Sequence, residues 1–500
     1  MLVPLTLLDT ATDAVELCMC FVFALPSERA EGDTSAFLER LKSAADRVVR
    51  KWSLLTGVPR QPKPGVWAID VPDDVDGVSK ERALFGFTTA SLAQPYHEAA
   101  GLPSALRPLS STPTGFLPAP KLGLFRPQIA PKNLADRDKS LTPLLHLHTT
   151  VFSDALAVGV NLPHGVFDGT GCGKVLKALD AELHGRDLEP APVFAVNPLD
   201  ATLVNLRAAE PLMPPGYHAP FLHEWCGSAW IPNLLRFLSS LAWEKLWWKS
   251  EQAWVLLRDE DLQFLVARTR EEVKQVESGG TYVSTGDVVT AWLLKVAAHS
   301  AEAHAPGAIR ATGVMCGRSI LSSYSSSATA SSLSSYPFNA AFGYSLLSGT
   351  LPLTELASLP LATLALRLRR SLDEQRNLPA LQAVAQGVAA NSTPTRPLLP
   401  YRDWPQLPFF STSHTHSWVV TNQTSLDMAS LSFPGTDGKD LPLLLYYQGG
   451  EMPLMLDHVL PTQRVPGVGI TLCGLMRRSR WKSLAMAVGQ LKEEAAKARA

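Results

Sequence analysis

The stretch Pro163-His164-Gly165-Val166-Phe167-Asp168-Gly169 places an imidazole and a carboxylate four residues apart. Histidine is the one side chain whose unperturbed pKa lets it take up and return a proton near neutral pH, and a well-placed base contributes about 10²–10⁴-fold to a proton-coupled transfer. The segment lies between an apolar run, Ala155 to Leu162, and a run with helical spacing at Val175, Leu176, Leu179 and Leu183. Strand, tight turn and helix are expected. His164 then stands at a strand end, where a rigid scaffold can aim its ring into a cleft. Gly169 is read as the residue that lets the backbone turn. A satisfied core histidine would show the same H-x-x-x-D spacing, so other segments have to separate the two readings.

Composition narrows the classes. The chain has 500 residues, too many for one core, with 46% hydrophobic and 18% charged residues and a net charge of -1. Such a chain reads as globular, with two large domains or three smaller ones. No basic stripe with interleaved aromatics occurs, which argues against nucleic acid as a partner. The six cysteines (Cys18, Cys20, Cys172, Cys226, Cys316 and Cys473) form no C-x-x-C pair. That supports neither a zinc site nor a redox motif and suits a reducing compartment. His414-Thr415-His416 offers two imidazoles on one strand face, but no third ligand has convincing spacing, so no metal is expected. The apolar stretch Leu17 to Leu25 is short and follows acids, which reads as a strand and not a signal peptide. No run is long enough to span a membrane. A cytoplasmic, monomeric protein is the expectation.

Strands and helices alternate loosely in both halves. Asp33 or Thr34 caps a helix with apolar positions from Phe37 to Trp52, which Gly57 is expected to stop. Two strands are expected between Leu144 and Leu162. Proline-rich residues 190–230 read as a crossover between a domain of residues 1–189 and one of residues 231–500. Residues 231–249 are amphipathic and tryptophan-rich, suggesting an interface helix, with peripheral membrane contact as the other use. Ser284-Thr285-Gly286-Asp287 starts a helix, and Ser319 to Ser335 reads as a mobile surface loop. Strands are expected at Trp418–Thr421, Leu443–Tyr447 and Val468–Leu472, with helices at Leu359–Arg376 and Trp481–Lys497. The fold class is mixed α/β, with two layers sharing an interface.

Several segments, in order, resemble the BAHD acyltransferases, CoA-dependent enzymes of the chloramphenicol-acetyltransferase-like superfamily, and the fungal members more than the plant ones. Pro4 to Asp9 is similar to the family's "LSPLD" opening, and Leu54 to Arg60 to "LAGRL". His164 to Gly169 matches HxxxDG. Ser284-Thr285 to Trp292 resembles the "ST-x-D" helix start, Cys316-Gly317-Arg318 resembles "DGR", and Tyr336-Pro337-Phe338-Asn339-Ala340 resembles "YFGNA". Two places depart. DFGWG aligns with Ser432-Phe433-Pro434-Gly435-Thr436, keeping only Phe433 cleanly, and "TSW" aligns with Thr421-Asn422-Gln423.

The resemblance implies two chloramphenicol-acetyltransferase-like domains, each a mixed sheet flanked by helices, with an active-site tunnel at their interface. It implies acyl transfer from acyl-CoA, acetyl-CoA being the expected co-substrate, to a hydroxyl or amine of a small secondary metabolite, with no permanently bound cofactor. His164 would be the general base. Asp168 would serve structurally, turned from the cleft and paired with Arg318. Gln423, replacing the family's tryptophan, is a candidate oxyanion donor. Ser284, Thr285 and Thr421 would contact CoA. Two other readings keep the fold: a CoA-independent reaction such as cyclisation, and a non-catalytic ligand-binding protein.

Overall fold

In the computed structural model the apolar run before His164 is β8 (Ala155–Pro163), and all nine of its residues are buried. A strand covered on both faces reads as a nearly continuous apolar run, here interrupted by Asn161, whose amide is buried. The structure describes the chain outside residues 11–14, 27–32, 64–65, 103, 118, 189–196, 214–238, most of 240–248, 278–279, 300–306, 324–332, 334–335, 392–415, 427, 436–438 and 451–458.

β8 belongs to a five-stranded mixed sheet with β2 (Glu16–Ala24), β5 (Gly86–Ser91), β7 (His146–Val151) and β13 (Leu443–Gly450), in the order β13-β2-β8-β7-β5. β5 and β7 are parallel and the other neighbours antiparallel. A seven-stranded mixed sheet holds β6 (Gly115–Leu117), β9 (Ser250–Arg258), β10 (Ala308–Cys316), β11 (Ala341–Pro352), β12 (His416–Gln423), β14 (Val459–Val465) and β15 (Gly469–Arg477). Its order is β11-β10-β12-β14-β15-β9-β6. A third, antiparallel sheet joins β1 (Leu2–Pro4), β3 (Val58–Lys63) and β4 (Val66–Asp70). Each half of the chain lends an edge strand to the other's sheet: β13 pairs with β2, and β6 with β9. Sheet membership therefore crosses the 190–230 segment, which itself carries a helix, Pro198–Ala208.

Helices Asp33–Lys51 and Gly169–Leu183 pack together beside the first core. Helices Asp259–Val276, Thr285–Ala298, Leu361–Gln375 and Arg478–Arg499 pack over the second. The expected mixed α/β class is the one observed.

Several local expectations are corrected. The first long helix ends at Lys51, and a 3-10 turn, Ser53–Thr56, precedes Gly57, whose backbone is extended and leads into β3. Ser319 to Ser323 belong to a helix, Arg318–Ser323, whose Arg318, Ile320 and Leu321 are buried and whose Arg318 holds Asp168, while Ser319 and Ser323 stay exposed. β14 was not expected, since Pro461 inside it reads as a strand breaker. His414 and most of residues 231–249 lie outside the described residues. Among the described residues, no helix is long and apolar enough to cross a membrane, and no group of three His, Cys, Asp or Glu side chains is placed to hold a metal ion.

Candidate active site

β8 ends at Pro163, and the turn that follows is tied on both sides. The His164 N–H donates to the Val15 carbonyl at 2.9 Å. The His164 carbonyl accepts from the Asn339 amide at 2.7 Å. The ring's Nδ1 lies 3.0 Å from the Phe167 carbonyl oxygen. A carbonyl only accepts, so Nδ1 carries the hydrogen and the basic lone pair of the neutral ring is on Nε2. Burial pulls the ring's pKa below its ordinary value of 6.5, against the opposing pull of the Phe167 carbonyl and the Asp168 charge. The imidazole is therefore neutral at pH 7, and it keeps a partly accessible surface.

Asp168 does two jobs. It caps the Gly169–Leu183 helix, its Oδ1 accepting from the Gly171 N–H at 2.9 Å. An acid there also meets the positive end of the helix. The same carboxylate takes a two-pronged contact from Arg318, Nη1 to Oδ2 at 2.7 Å and Nη2 to Oδ1 at 2.9 Å, and accepts from the Ala340 N–H at 3.1 Å. Arg318 also donates to the carbonyls of Tyr336 and Phe338. The two side chains are only 6% and 5% exposed, and their pairing holds the Arg318 guanidinium above its usual pKa.

Three of the segments that resemble the family's motifs, at Pro4–Asp9, Cys316–Arg318 and Tyr336–Ala340, meet at this turn. Asp9 accepts from the Thr6 N–H at 2.6 Å and the Asn339 N–H at 3.0 Å. It thereby holds the loop that carries the Asn339 amide. Burial pushes its carboxyl up to about 7 against those hydrogen bonds. Gly169 is not in the left-handed region, which corrects the expectation of a turn-forming glycine. A Cβ there would lie 2.7 Å from Leu426 Cδ1, the movable end of a side chain. At Gly171 a Cβ would fall 2.1 Å from the Pro337 carbonyl oxygen, which is backbone and cannot swing aside. Gly171→Ala is expected to push the helix off the 336–340 loop and to cost about 1–3 kcal/mol, the usual range for overpacking, measured as a lower urea midpoint.

Beside the turn lies a cavity of about 330 Å³. Its polar wall includes Ser284, Thr290, Thr421, Asn422 and Gln423, and its apolar wall Met315, Tyr344, Leu346, Leu368 and Leu372. Asp168 contributes to the wall as well as pairing with Arg318, so it is not turned wholly from the cleft. His164, Arg318 and Thr285 are not wall residues. Thr285 is the first residue of the helix Thr285–Ala298, whose cap is Ser284. Ser284 and Asp287 form a reciprocal capping box, and the Ser284 hydroxyl hydrogen is committed to Asp287 Oδ2 at 2.7 Å. Its contact with a ligand is thereby limited to accepting. The Thr421 hydroxyl makes no hydrogen bond among the described residues.

Gln423 ends β12 and is 7% exposed. Its Oε1 accepts from Gln463 Nε2 at 2.9 Å, and its Nε2 is close enough to Gly169 that a Cβ there would lie 3.5 Å away. Sequence reasoning named Gln423 but missed Gln463, hidden in the proline-bearing β14. It also listed Asn339 without giving it a task. The departed DFGWG segment sits elsewhere. Phe433 packs against Phe23 and Phe37, and the Ser432 N–H and hydroxyl both donate to Asp180 Oδ1 at 2.8 Å. The acid in that contact is thus supplied by the Gly169–Leu183 helix.

No protein-family model matches the chain. Over 257 residues it is 28% identical to the O-acyltransferase pboC of Aspergillus ustus, a match covering 51% of this chain and 49% of that protein. The chain thus spans about half the length of that relative. It is 28% identical over 374 residues to the acetyltransferase sphE of Aspergillus fumigatus, covering 69% of this chain and 68% of the relative. In fold it is similar to the crystal structure of F. sporotrichioides TRI101 complexed with coenzyme A and T-2, with a TM-score of 0.64, 15% identity, and 99% and 98% of the two chains covered. The chain is thus similar in sequence to fungal acyltransferases, and in fold to TRI101.

Proposed function

We propose that the chain moves an acyl group, acetyl in the simplest case, from a CoA thioester to a hydroxyl or amine of a small secondary metabolite. What carries the reading is a neutral, tautomer-fixed imidazole on a turn that both halves of the chain lock and whose Asp168 and Gly169 line a cavity with an amide in its wall. The relatives' names and the coenzyme A in the TRI101 crystal support the choice of donor. A thioester is already activated, so no protein nucleophile is required. His164 Nε2 takes the acceptor's proton as the acceptor's oxygen or nitrogen attacks the thioester carbonyl. The tetrahedral oxyanion accepts a hydrogen bond from the Gln423 amide. Collapse breaks the carbon–sulfur bond, and the departing CoA thiolate takes the proton back from His164. Asp168 and Arg318 hold the turn and take no proton. Thr421 and Asn422 offer polar contacts for the amide-rich pantetheine arm, and a cavity of about 330 Å³ falls within the usual range for small-molecule sites.

Incubation with acyl-CoAs and a panel of small alcohols and amines is expected to release free CoA thiol and to add the acyl mass to the acceptor. Protonation removes the lone pair that does the work, and burial lowers the His164 pKa below 6.5. kcat/KM is therefore expected to fall about tenfold per pH unit on an acid limb lying below pH 6.5. Turnover without any thioester, or an acid limb centred above pH 6.5, would count against the reading.

A further inference from the structure

We propose that Gln463 is a positioning residue that decides which end of the Gln423 amide faces the cavity. The parallel pairing of β12 with β14 sets Gln423 directly beside Gln463. Gln463 is fully buried. Its Nε2 donates to Gln423 Oε1 at 2.9 Å and also to Gln448 Oε1. A primary amide nitrogen has two hydrogens, and these contacts use both. The Gln423 oxygen is thereby held as an acceptor against β14, which leaves the NH₂ end of the same amide toward the cavity wall beside Gly169. Turned over, Gln423 would present a carbonyl oxygen there and repel an oxyanion.

The anchor of this arrangement crosses the molecule. Gln448 lies on β13, in the five-stranded sheet, and Gln463 on β14, in the seven-stranded one. The polarity offered to the cavity is thus fixed by a chain of three amides spanning the seam between the sheets. Among the described residues Gln463 Oε1 is buried with no hydrogen-bond partner, the cost of turning the amide so that its nitrogen serves both neighbours.

The proposal rests on the reading of Gln423 as oxyanion donor, and one set of variants separates the two. Gln423→Leu is expected to lower kcat about 10²–10³-fold. Gln463→Met keeps the volume and removes both donors, and it is expected to lower kcat about 10–100-fold, as a misaimed group does, with KM for acyl-CoA unchanged. Residues that act in series are not additive, so the double variant is expected to be no slower than Gln423→Leu alone. If Gln423→Leu leaves kcat unchanged, the oxyanion reading falls and this proposal with it. If Gln423→Leu is slow but Gln463→Met is wild-type, or the two losses multiply, only the proposal is overturned. Should Gln463→Met not fold, Gln448→Met, at a half-buried position, takes its place. It is expected to slow kcat in the wild-type background and not in Gln423→Leu, and an unchanged kcat in the wild-type background overturns the proposal.

Discussion

His164→Ala is expected to lower kcat by about 10²–10⁴-fold, the contribution of a positioned general base, while the protein stays folded. The two halves of this outcome have separate physical sources. The ring donates a hydrogen bond from Nδ1 to the Phe167 carbonyl, and losing such a bond costs about 0.5–1.5 kcal/mol. The bonds that fix the turn run through the main chain. The His164 N–H to Val15 and the Asn339 amide to the His164 carbonyl both survive truncation at Cβ. Steady-state turnover and a urea melt on the same sample separate the effects. Partial rescue by added imidazole would mark the loss as chemical. Wild-type turnover in a folded His164→Ala protein would remove the base from the mechanism.

The reverse pattern is expected at the ion pair. Asp168→Ala and Arg318→Met should each destabilise the protein by about 3–5 kcal/mol, because each strands a buried charge. The acid's loss goes further, since it also strips the acceptor from the N–H groups of Gly171 and Ala340. The arginine's loss frees the carbonyls of Tyr336 and Phe338. Replacing both partners by apolar residues should cost less than the sum of the single changes, since no lone charge is left. Urea midpoints for the two singles and the double check this. Activity is expected to fall with the folded fraction and with displacement of His164. An Asp168→Ala protein with the wild-type midpoint and no turnover would instead give Asp168 a direct part in the chemistry.

Much of the frame was legible before any fold was seen. β8 was legible because a strand covered on both faces reads as a nearly continuous apolar run, and 155–162 is apolar but for Asn161. The Thr285–Ala298 helix was legible because Ser284 and Asp287 have capping-box spacing, a local device that needs no tertiary partner. β14 was not legible, since Pro461 argues against a strand, yet it pairs with both β12 and β15. The Ser319–Ser323 helix was missed because serine-rich composition reads as a loop, while Arg318 pins its first turn to Asp168. Gly169 was noticed for the wrong reason. Its backbone is not left-handed, and its nearest distant neighbour is Leu426, 257 positions away, which no local pattern reveals.

The sequence by itself determined the chemical types and those elements whose signals are local. It marked a histidine at a strand end, an acid that can cap the next helix, and the strand and helix beginnings whose signals are local in composition and periodicity. Only the tertiary structure decided what those residues face. It set the tautomer of His164, joined Asp168 to Arg318 across 150 positions, exchanged edge strands between the sheets, and put Gln463 beside Gln423. The physical reason is that hydrogen-bond direction, desolvation and close packing depend on which distant segments come within a few ångströms. That proximity is set by the register of the sheets and not by neighbours along the chain.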